Sequence, residues 1–212
     1  MKWALALWMA VAASAADAPR IFWSKAFPGS TPAYVQVTLD KAGNAEYKEA
    51  VDDDQPLKFK LTETETASVF ELADKVDHFK HPLESPLKVA FMGKKTFRWE
   101  DGPAPSEVTF NYSEDPSAQA LLDWFEKMSE SAQERIDLER AAKYDRLGVD
   151  KALRTLWISL DRKRLVGTEQ YLPMLDRIAN NESYMHTART KAAEIAELIR
   201  GAGAAPAGAS KQ

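Results

Sequence analysis

The sequence predicts an α+β fold in which an N-terminal antiparallel β-meander sheet with one helix precedes a long helix and C-terminal helical hairpins forming a bundle. Two observations carry that prediction. Apolar residues recur mostly every second position from Ile21 to about Tyr112, and at helical spacing from Pro116 onward. Apart from one helix within the strand-rich part, the period changes at Pro116 and stays helical, so strands come first and helices after, which argues against an alternating α/β sheet. The implied division is a signal peptide over 1–15, a sheet domain over 16–114, a helical region over 115–200 packing on the sheet and on itself, and a disordered tail over 201–212.

The opening residues read as an export signal. Lys2 is the positive n-region, Trp3 to Val11 the apolar stretch, and Ala13-Ser14-Ala15 a small-x-small cleavage site before Ala16. That stretch is shorter than the roughly 20 apolar residues a lasting membrane span needs. No transmembrane segment is therefore expected in the mature chain, and its expected place is the periplasm or the medium. The chain has no cysteine, so no N-terminal lipid anchor is expected and stability must come from packing alone.

Val35, Val37 and Leu39 alternate with Tyr34, Gln36 and Thr38, and Lys41-Ala42-Gly43-Asn44 supplies turn chemistry before Ala45 to Glu49, which predicts a hairpin. Leu57, Phe59 and Leu61 predict a third strand. Thr62 with Glu65 three residues later is a capping-box pattern, and Val69, Leu72, Ala73 and Val76 continue it as a helix ending near His78. Three further strands are predicted around Leu87 to Phe91, Phe97 to Trp99 and Val108 to Tyr112. Asp115-Pro116 then opens the long helix, with Leu121, Phe125, Met128 and Ala132 on one row and an end near Asp145. Its first turns are expected to cover the sheet. Leu147-Gly148 precedes a helix with Val149, Leu153, Leu156 and Leu160; a shorter helix follows Pro173; and a last one, opened by Asn181, carries Ala188, Ala192, Ile195 and Ile199.

The formal charge is −4. Loss of Lys2 with the signal leaves 27 basic against 32 acidic residues, interspersed, so no nucleic-acid partner is expected. The best metal candidates are His78, His81 and Asp77, flanked by Asp74 and Glu84, because histidines three apart at a helix end can face one side and take Zn²⁺. A solvated helix C-terminus, where His favours the dipole, is the competing reading. There is no Gly-x-Ser-x-Gly elbow, and the adjacent Ser24-Lys25 would serve as a nucleophile only with the lysine desolvated and aimed at the hydroxyl. Asp52-Asp53-Asp54 lacks the glycine and distant glutamate of a calcium loop. Glu126, Glu130 and Glu134 on one side, and Arg135, Glu139 and Lys143 on another, read as solvated rows of the long helix. Arg162-Lys163-Arg164 is the one dense basic run, a candidate for anionic headgroups. Trp99 and Trp157 are expected in the core.

The N-terminal half, with its hairpin, Thr62-capped helix, strands around Met92-Gly93-Lys94-Lys95 and closing helix at Leu121-Leu122-Asp123-Trp124-Phe125, resembles the emfourin-type protease inhibitors in layout. Phe27-Pro28-Gly29-Ser30 stands where those inhibitors carry a glycine-rich segment. Separately, Ser24 to Ser30, Phe110-Asn111-Tyr112-Ser113 and Leu172-Pro173-Met174-Leu175-Asp176-Arg177 resemble exported acidobacterial proteins of unknown function. Elimination favours a non-enzymatic exported module that binds an unidentified protein through its sheet or helical face. The alternatives are an envelope scaffold that self-associates through its helices, a metal-dependent enzyme using His78 and His81, and an emfourin-like inhibitor.

Overall fold

The computed structural model describes residues 18–102 and 104–204. The predicted signal over 1–15 lies outside the described residues. Six strands form one antiparallel sheet: β1 (Arg20–Ala26), β2 (Tyr34–Asp40), β3 (Asn44–Lys48), β4 (Leu57–Lys60), β5 (Lys94–Glu100) and β6 (Ser106–Phe110). Their order is β4-β3-β2-β1-β5-β6, so the first strand is central and joins two meanders. Trp23 lies opposite Val37 on one side and Phe97 on the other.

The period-two pattern sends Ile21, Trp23, Val35, Val37, Leu39, Ala45, Tyr47, Phe97 and Phe110 to one buried face. Helices α1 (Glu63–Lys75) and α2 (Pro116–Tyr144) cover it, as expected for the first turns of the long helix. Phe125 of α2 stacks on Trp23 at 5.9 Å between ring centroids and meets Phe97 edge-on at 5.5 Å. Such aromatic pairs add about 0.5–1.5 kcal/mol each beyond the area they bury. The opposite face is polar, with Arg98 lying over Phe22 and paired to Glu100 and Glu107.

The rest of the chain is α3 (Gly148–Asp161), a 3-10 turn at Thr168–Tyr171, α4 (Leu172–Ala179) and α5 (His186–Ala204). These pack with Leu138 of α2 around a second core of Leu153, Leu156, Tyr171, Leu175, Ile178 and Ile195. Helix α2 therefore contributes to both cores. Its 29 residues rise about 1.5 Å each, so it extends about 43 Å.

Three expectations are corrected. Leu87 to Phe91 is not a strand: residues 86–92 form an exposed loop, held by Asn111, whose Oδ1 accepts from the Met92 amide at 2.7 Å and whose Nδ2 donates to Ala90 O at 3.0 Å. No strand of the sheet stands beside this stretch to complete a ladder. Helix α1 stops at Lys75, before a turn in which Asp77, His78 and Phe79 all have positive φ and which buries Phe79 against Phe97 at 5.0 Å. Helix α5 starts at His186 and runs to Ala204, so the first four residues of the expected disordered tail are helical, while 205–212 lie outside the described residues.

Both sheet edges are engaged by other parts of the chain. Arg135 donates to Lys58 O of β4 at 3.3 Å, and Gly167 lies so close to β4 that a Cβ there would stand 2.6 Å from Lys60 O. Gly167 also has φ +56, so glycine is required on two counts. At the other edge Ser106 donates to His78 O, and the Ser85 amide to Tyr112 O at 2.8 Å just past β6.

Candidate functional site

The residues predicted to bind metal form two separate pairs. His78 Nε2 shares a hydrogen bond with Asp74 Oδ1 at 2.7 Å and lies over Trp99 at 4.1 Å, while His81 Nε2 faces Asp77 Oδ2 at 3.1 Å. Lys80 also binds Asp77 and, with the two histidines, holds its carboxyl below the usual range. Glu84 turns away to accept the Asn111 amide. Among the described residues no three His, Cys, Asp or Glu side chains gather closely enough to hold a metal ion. The helix needed to align them has ended by Asp77, where positive φ redirects the chain.

Ser24 and Lys25 are consecutive on β1, and strand geometry sends them to opposite faces. Lys25 lies on the inner face opposite Lys95. Two facing ammonium groups repel, and each is answered locally: Lys25 pairs with Glu126 at 3.1 Å, and Lys95, only 3% exposed, donates to Met92 O, Gly93 O and Asn111 O. Lys95 thus pins the root of the 86–92 loop to the end of β6. In the aspartate run, Asp53 turns its Oδ1 to the Gln55 amide at 2.9 Å, a local turn contact.

The glutamate row of α2 is not a solvated face. Arg164 makes a forked contact with Glu130 at 2.8 and 2.6 Å and reaches Asp123 at 2.5 Å, and these carboxylates hold its guanidinium firmly charged. Glu134 accepts from Ser159 of α3, and burial pushes its carboxyl above the usual range. Nearby, Ser131 accepts the Val166 amide at 2.9 Å and its carbonyl accepts the Tyr171 hydroxyl at 2.6 Å. The basic run at 162–164 therefore spends Arg164 on docking the helical half to α2.

Two exposed apolar surfaces stand out among the described residues. The first is a groove of about 620 Å³ between α3 and α5, lined by Asp150, Arg154, Trp157 and Ile158 on one wall and by residues of α5 including Thr190 and Lys191 on the other. Trp157, expected in the core, is 40% exposed here, with the Lys191 ammonium 5.5 Å from its ring centre. The charges of this groove pair along their own helices, Arg154 with Asp150 at 2.8 Å and Lys191 with Glu194 at 2.6 Å. Asp150, Arg154 and Trp157 follow one another at spacings of four and three, so the polar character of that row was the signal that Trp157 faces outward.

The second surface is at one end of the sheet. Leu87, Val89, Phe91 and Met92 are exposed on one loop, and Phe91 meets exposed Phe27 of the β1–β2 loop edge-on at 5.8 Å. Gly93, with φ +95, lets the two loops touch, because a Cβ there would lie 3.1 Å from Phe27 Cβ. Beside them a cavity of about 310 Å³ lies between the β1–β2 loop and α2, and its charged lining is already paired, Lys25 with Glu126 and Glu130 with Arg164.

These features belong to an α+β protein with a six-stranded antiparallel sheet and a C-terminal helical region, in which no described helix is long and apolar enough to cross a membrane. No protein-family model matches the chain, and no curated protein matches it.

Proposed function

We propose that the chain is a non-enzymatic exported protein-binding module whose contact surface is the α3–α5 groove. The carrying observation is Trp157: a large aromatic side chain left open in a groove of about 620 Å³ between two packed helices. Trp and Arg dominate the energetics of protein contacts, and Arg154 lines the same wall. A groove between parallel or antiparallel helices suits an amphipathic helix of a partner, its apolar row against Trp157 and Ile158. The local pairing of Arg154 and Lys191 supports this reading, because neither charge needs a counter-ion from the partner.

The test is capture of envelope-fraction proteins on the immobilised chain, wild type beside Trp157→Ala. A specifically retained protein whose affinity falls about tenfold or more in the variant supports the reading. Equal retention by the variant, or no specific retention, overturns it. Because the N-terminal half resembles emfourin-type inhibitors in layout, proteases are the first partners to assay. Light scattering covers self-association: a dimer dispersed by Trp157→Ala makes the partner a second copy and the chain a scaffold.

A further inference from the structure

The loop surface at the sheet end is locally basic. Residues 25–33 and 86–95 hold four lysines and no aspartate or glutamate, in a chain whose formal charge is −4. Two of the four are consumed internally, Lys25 by Glu126 and Lys95 by three carbonyls. The other two, Lys88 and Lys94, are exposed, and neither pairs with a carboxylate among the described residues. The glutamates that flank the loop in the sequence are committed elsewhere: Glu84 accepts the Asn111 amide, and Glu100 pairs with Arg20 and Arg98. Seven consecutive residues, 86–92, are exposed, and four of them are large and apolar.

We infer that this loop tip docks on an anionic lipid surface, with Leu87, Val89, Phe91 and Phe27 entering the headgroup boundary and Lys88 and Lys94 resting on the lipid phosphates. Apolar side chains ringed by lysine are the composition that seats interfacial elements about 5–10 Å into that boundary. Lysine is depleted at protein–protein contacts, so a protein partner accounts less well for the pattern. The loop backbone is tolerated there because water still reaches the headgroup level. Lys95 contributes by fixing the loop root, so the tip is presented without first being ordered. This surface is separate from the α3–α5 groove, and either proposal stands if the other fails.

The experiment is cosedimentation of the full chain with phosphatidylcholine vesicles and with vesicles of phosphatidylcholine and phosphatidylglycerol at about 7:3, matched near-ultraviolet circular dichroism confirming the fold of each variant. Wild type and variants share one N-terminus, so differences between them report the tip. Expected are binding to the phosphatidylglycerol vesicles, weakening of about fivefold for Lys88→Gln or Lys94→Gln and about 25-fold for both, and abolition by Leu87→Ser with Phe91→Ser. Raising salt to about 0.5 M weakens binding in parallel. Equal binding to both vesicle types, variants that bind like wild type, or no binding to phosphatidylglycerol vesicles overturns the inference. So does a partner protein that needs Phe91 while vesicles are ignored, which would assign the tip to protein recognition.

Discussion

Glu134 shows how far a single side chain depends on its surroundings. One carboxylate oxygen takes the Ser159 hydroxyl, and the other is buried with no partner among the described residues. Burial is the main reason its carboxyl is raised, and the neighbouring Glu130 and Asp137 charges add to it. A folded-state value above the unfolded one means the folded chain holds the proton more tightly. The associated stability is complete below the ordinary glutamate range and is lost as pH rises through the raised value. Glu134→Gln keeps an acceptor for Ser159 and removes the charge. Urea unfolding at pH 7 is expected to show a gain of about 0.5–1 kcal/mol after solvent screening, vanishing by about pH 4. A variant less stable than wild type at pH 7 would contradict this account.

Among the elements, α1 carries the most consequential terminus. Glu65 accepts the Thr62 amide at 2.8 Å, closing the capping box, and also faces the Gly167 amide at 3.2 Å across 102 positions of sequence. Glu65→Ala is therefore expected to cost about 1–2 kcal/mol in urea unfolding, more than an ordinary surface change. A loss below about 0.5 kcal/mol would show that the contact with Gly167 contributes nothing. The first half of this arrangement was readable in advance because a cap involves residues three apart. So was the Asp115-Pro116 start of α2, where Asp115 accepts the Ser117 and Ala118 amides. The second half was not readable, since nothing local couples Glu65 to Gly167. The same distinction explains the glutamate row, whose partner Arg164 lies 34 residues from Glu130. It also explains Leu87 to Phe91, where alternation is present but no strand stands beside it to complete a ladder. Of the surfaces now proposed for function, the exposure of Trp157 was legible in the polar row it shares with Asp150 and Arg154, whereas that of Leu87 to Phe91 was masked by their strand-like alternation.

At the scale of the whole molecule, α2 serves both cores, and the stretch at Val166 and Gly167 ties the helical region a second time to β4 and α1. The sheet is likewise built from both sides of the exposed loop. Seven residues of β1 pair with seven of β5 in continuous register, although the loop at 86–92 separates them in sequence. A nick between Lys88 and Val89 would leave β1 to β4 with α1 in one piece and β5, β6 and α2 to α5 in the other. Each piece alone would bare half of the aromatic cluster that unites Trp23, Phe97 and Phe125. After limited trypsin digestion the two pieces are expected to travel together on gel filtration and to part only in denaturant; separation in plain buffer would contradict this. The bond broken there is dispensable, because the complementary halves recognise each other through the middle of the sheet.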